Sequence, residues 1–203
     1  MKSSFINKTI CKRAIFFFIF AISLTILATL ITYLINPDVN DVLDGIGNQS
    51  SDTLSDSRGI HKVWAFIVNN GFSVPLQMFL LALIPIQFLY VLNIMTTVSL
   101  PGILFGIALR IDADKGFGMI FSSIPHFVFE IFAFCLLAAT LFELNRAVRI
   151  KIKNLFKTDK VEISFNEKLV KAVKFYGIFV LPIITIAAFL ETYAADLIYQ
   201  FFQ

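Results

Sequence analysis

Two side chains that readily carry charge, His126 and Glu130, stand inside an otherwise apolar stretch at 118–142. A charged group in hydrocarbon is costly, so each needs a polar contact, an ion path or a chemical site to account for it. Four residues apart, the two share one face of a helix. An imidazole beside a carboxylate can hydrogen-bond neighbouring helices, line a path for a proton, ion or small solute, or ligate a metal. The metal reading makes the chain an intramembrane hydrolase with His126, Glu130 and Glu191 as ligands, a thin set for zinc. Pro125, just before the histidine, removes a helix hydrogen bond. A kink is expected there, with a carbonyl near position 121 released beside Ser122 and Ser123.

The elements that hold these residues follow from composition. Of 203 residues 58% are hydrophobic, including 24 Phe, far too apolar for the surface of a soluble domain of this length. Several apolar runs exceed the ~20 residues that cross a bilayer. The fold class is therefore all-α: a polytopic integral membrane protein of about five transmembrane helices, forming a single membrane domain over 1–203. The expected spans are 14–35, 63–84, 87–109, 118–142 and 175–198. Between the first two lies a polar loop, 36–62, with five Asp. The charge-free stretch 63–109 is long enough for two crossings, with Pro85 and Gln87 as the best turn candidates.

Basic residues set the orientation. The tail before position 14 has four and no acid, and 146–174 has nine against three acids. Five spans put both on the cytoplasmic side, the Asp-rich loop outside and the C-terminus outside. Four spans would export the nine-basic segment, so the charge rule supports the hairpin. The cytoplasmic basic segment, 144–174, has helical order. Val148, Ile152 and Leu155 recur on one face, and Arg149, Lys153 and Lys157 suit contact with anionic lipid. Ser164 and Glu167 read as a capping box that starts the last helix in the cytosol.

Cys11 and Cys135 lie too far apart to pair and carry no CxxC or CxxH neighbour. There is no Walker A loop, GxSxG or HExxH. The sequence points to no cofactor, no catalytic residue, no resident metal and no nucleic acid. The partner that composition implies is the lipid bilayer, and self-association stays open.

Counting from the expected outer ends at ~1.5 Å per residue puts Asn69, Asn70, His126, Glu130 and Glu191 in one polar layer of the outer half. Polar groups at one depth on different helices can satisfy one another, so Glu191 or an asparagine is expected within reach of His126 or Glu130. Gly102 and Gly106 form a Gly-x-x-x-Gly that would allow close helix contact.

Three pieces in order give a family resemblance: Asn69-Asn70, then Pro125-His126 with Glu130, then Leu181-Pro182 through Ala187-Ala188 to Glu191 and Tyr193. Over about 63–195 the chain resembles the stage II sporulation protein M family of bacterial multi-pass membrane proteins. It departs from the family pattern at Phe127, where a glycine is usual, and at Asn93-Ile94, where Asn-Gly is usual. The resemblance implies a bacterial plasma-membrane protein that works as a partner or scaffold and is not an established enzyme. The sporulation member helps localise cell-wall hydrolases. Other members accompany circular bacteriocins, implying a role in secretion, maturation or immunity beside an ABC transporter.

Overall fold

Apolar runs with no water to satisfy their backbone must bond internally, and here each becomes a helix. The computed structural model describes residues 8–37, 59–156 and 161–201. Among them are five helices long and apolar enough to cross a membrane: α1 (Lys8–Ile35), α2 (Ile60–Leu83), α3 (Leu89–Ile111), α4 (Ala113–Asn154) and α5 (Phe165–Gln200). No strand occurs among the described residues.

Helix α4 is the axis of the bundle and packs against the other four. Its inward side is small or aliphatic, with Ala133, Ala138, Ala139 and Leu141 all fully buried. Helices α1 and α3 approach most closely through the Gly-x-x-x-Gly. A Cβ built on Gly102 would lie 2.7 Å from the Thr25 carbonyl oxygen, and one on Gly106 would lie 2.7 Å from that of Thr29. Only hydrogen fits at either place, and the shortened distance between the helices increases their dispersion contact.

The charge-free stretch is a hairpin. Helix α2 stops at Leu83, the chain turns over Ile84–Phe88, and α3 resumes with a tight turn at Leu89–Val91. Phe88 takes left-handed dihedrals, φ 67°. Asn145, on α4, holds this turn from inside the bundle. It is 1% exposed, and its Nδ2 donates to the carbonyls of Ala82, Ile84 and Ile86 at 3.0, 2.8 and 3.3 Å. Arg149 completes the clamp, donating from Nε to Asn145 Oδ1 and from a terminal nitrogen to Gln87 Oε1. At the same end Arg13 pairs with Glu143 and lies 3.9 Å over the Phe142 ring.

Two features differ from the sequence reading. Helix α4 does not end at 142 but runs straight on to Asn154. Val148 and Ile152 therefore continue the fourth helix, with Leu155 as its cap, instead of forming a separate helix. Basic residues here are compatible with both arrangements, and the contacts of Ala147 and Asn145 inside the bundle favour the straight one. The backbone is also less regular than expected. Segments of wider, π-type turn occupy Ile67–Ser73, Tyr176–Val180 and Leu190–Ala194. The first two end two residues before Pro75 and Pro182. Proline has no N–H for the carbonyl four residues back and crowds it, and an extra residue in the turn relieves the clash. For Pro75 that carbonyl belongs to Gly71, and the Tyr176 hydroxyl donates to it from α5. Pro125 and Pro101, in contrast, sit within α4 and α3 without ending them.

At the start of α5 Ser164 accepts from the Glu167 backbone N–H at 3.3 Å, so the serine half of the expected capping box is formed and the helix begins ten residues before the apolar run.

Candidate functional site

Helix α4 brings His126 to the side where it meets α5, and α5 answers with Glu191. His126 Nε2 lies 2.8 Å from Glu191 Oε2. The other carboxylate oxygen, Oε1, lies 3.3 Å from the ammonium of Lys62 on α2. Glu191 thus bridges the first turn of α2 to the middle of α4. It stands in the π-type turn Leu190–Ala194, a distortion found often at functional positions. The three side chains are between 14% and 32% exposed, so the cluster is shielded but not sealed.

The hydrogen bond also assigns the imidazole. His126 Nδ1 is enclosed and has no partner. Nε2 is the nitrogen that donates to Glu191, whose carboxylate can only accept.

Glu130 is placed differently. It is 7% exposed and makes no hydrogen bond or ion pair among the described residues. It lines a cavity of about 260 Å3 between α3, α4 and the end of α5, together with Thr97, Ser123, His126 and Glu191. The remaining walls are apolar, from Phe66, Leu104, Phe105 and Phe127 among others.

The asparagines do not join this cluster. Asn69 Nδ2 donates to Asn70 Oδ1 at 2.8 Å, and Asn69 is exposed. Counting from Val63 as the outer end of α2 put them level with His126. The packing register instead places Lys62 there, and seven residues separate Lys62 from Asn69, about 10 Å along a helix. Lys62 had looked like the last residue of the polar loop. Its signal was a lysine at a helix start with an unpaired intramembrane glutamate elsewhere in the chain. Asn145 also went unnoticed, as an amide between Leu144 and Arg146 reads simply as the polar end of a span.

Ser122 and Ser123 both turn back to the Met119 carbonyl, at 2.9 and 2.8 Å. Among the described residues no three His, Cys, Asp or Glu side chains are grouped so as to hold a metal ion. Of the residues read as lipid contacts, Arg149 is committed to Asn145 and Gln87. Lys153 is exposed and borders a cavity of about 410 Å3 with Arg13, Arg146 and Arg149, while Lys157 lies outside the described residues.

Comparison with curated proteins gives no match, and neither does comparison with solved structures. A family model does match, and over a longer stretch than the residues that suggested it, because it includes the first helix. With the model described as Stage II sporulation protein M covering residues 14–196, the chain belongs to that family.

Proposed function

We propose that this membrane protein acts as a subunit that assembles with other membrane or cell-envelope proteins, providing a frame and no catalytic centre of its own. One observation carries the reading. The paired charged groups of the cluster are engaged with one another across helices, Lys62 with Glu191 and Glu191 with His126, which is what a device for fixing helix register requires. Family membership agrees with a protein of this type.

The test is cross-linking in native membranes, followed by isolation of the tagged chain in mild detergent and identification of what accompanies it. Stoichiometric recovery of a cell-wall hydrolase or another envelope protein is expected. An ABC exporter in its place would assign the chain to peptide export or immunity. Recovery of the chain alone, or only with copies of itself, would overturn the proposal.

The same reading puts the end bearing Arg13, Arg146 and Arg149 in the cytoplasm of a bacterial cell, because basic flanks are retained on that side. In a chain with Cys11→Ser and Cys135→Ala, a single cysteine at Ser51 should react with an impermeant thiol reagent on intact cells, and one at Asp159 should not. Both positions lie outside the described residues. Labelling at 159 would reverse the orientation.

A further inference from the structure

We propose that the cavity between α3, α4 and α5 binds a small monovalent cation, with Glu130 as its counter-charge. The argument rests on which hydrogen-bonding groups line the cavity and which of them are already occupied. Thr97 Oγ1 donates to the Asn93 carbonyl at 2.7 Å, and Ser123 Oγ donates to the Met119 carbonyl at 2.8 Å. Each hydroxyl has one proton, so what both can offer a ligand is lone pairs. His126 donates from Nε2 to Glu191 and its Nδ1 is enclosed, so the imidazole brings no free donor. Pro101 lines the same cavity and has no N–H to give to the Thr97 carbonyl four residues back. The lining thus consists of acceptors and carboxylates in apolar walls, and a ligand rich in acceptors or carrying negative charge would find no partner there.

The charge count points the same way. Lys62 and Glu191 are paired, and His126 is engaged by the same carboxylate. Glu130 remains, 7% exposed and without any partner among the described residues. A buried carboxylate is stable only if protonated or matched by positive charge. As a carboxylate it would carry one negative charge, and with hydroxyl oxygens in the same lining and no grouping of three metal-type ligands among the described residues, it fits a singly charged ion, either alkali or ammonium-type. Because Thr97 is on α3 and Glu130 and Ser123 are on α4, an occupant would join the two helices and stiffen the bundle.

The experiment measures thermal unfolding of the full chain in nonionic detergent at constant total salt. Choline chloride is replaced stepwise by sodium, potassium or methylammonium chloride. At least one of these ions should raise the midpoint saturably, by roughly 5 °C, and the ion that does so separates an inorganic occupant from an organic ammonium group. Glu130→Gln should abolish the rise, while Arg146→Gln, at an exposed position on the opposite end, should leave it unchanged. Should Glu130→Gln fail to fold, Ser123→Ala provides the second reading, with half-saturation moved up by roughly 3- to 10-fold. A midpoint identical in all four salts would mean that Glu130 is simply protonated, and would overturn the proposal. So would an unchanged response in Glu130→Gln or in Ser123→Ala.

Discussion

Replacing Asn145 with Leu should lower the midpoint of thermal unfolding in detergent by roughly 10 °C, corresponding to a loss of about 3–4 kcal/mol. Three backbone carbonyls of the α2–α3 turn converge on its side-chain amide, whose two protons are shared among them. Asn145 is 1% exposed and Ala82 fully buried, so at the Ala82 carbonyl water cannot replace the donor in the folded protein. Each carbonyl left bare costs about 1–3 kcal/mol, and Leu offers nothing in return but volume. The damage extends further, because Arg149 loses its acceptor at Oδ1 and with it part of its hold on Gln87. Asn145→Asp should fare no better, although it keeps the shape, since a carboxylate would present acceptors to acceptors. Arg146→Gln, on the next residue but exposed, should stay within about 0.5 kcal/mol of wild type. If the Leu variant melts with the wild type, the amide is not what holds the hairpin.

Glu191→Ala is expected to have the next largest effect, about 2–3 kcal/mol. Breaking a buried ion pair by removing one partner costs about 3–5 kcal/mol, and the value here is lowered because Glu191 and Lys62 are 24% and 32% exposed. Removing the carboxylate leaves both the Lys62 ammonium and the His126 N–H without their acceptor. Glu191→Gln should retain roughly half the loss, keeping one acceptor for His126 while leaving Lys62 without a counter-charge. Lys62→Met in the Glu191→Ala background should recover stability, since it removes the stranded charge. A double variant no more stable than Glu191→Ala would mean that Lys62 is solvated in the native protein and contributes nothing to the cluster.

The sequence alone was enough to establish the class, the number of crossings and the hairpin. These depend on lengths of apolar chain and on the sidedness of basic residues, and both are local quantities. Its three family-bearing pieces were legible for the same reason, being short and ordered. The meeting of the fourth and fifth helices at His126 and Glu191 could also be anticipated, as an intramembrane charge needs an answering group at its own depth. Which group answers from the second helix was a different matter. Depth counted along one helix carries an error of a turn or two, because the true start of α2, the π-type turns and the recess of one helix against another all shift the register. Only packing brought Lys62, and not Asn69 or Asn70, to Glu191. Packing alone also separated Glu130 from the cluster its neighbour joins. The spacing of His126 and Glu130 puts them on one face of α4, but one turn decides whether a side chain meets α5 or the cavity beside α3. Asn145 illustrates the same limit. Its meaning depends on carbonyls about sixty residues away, which no local pattern can record.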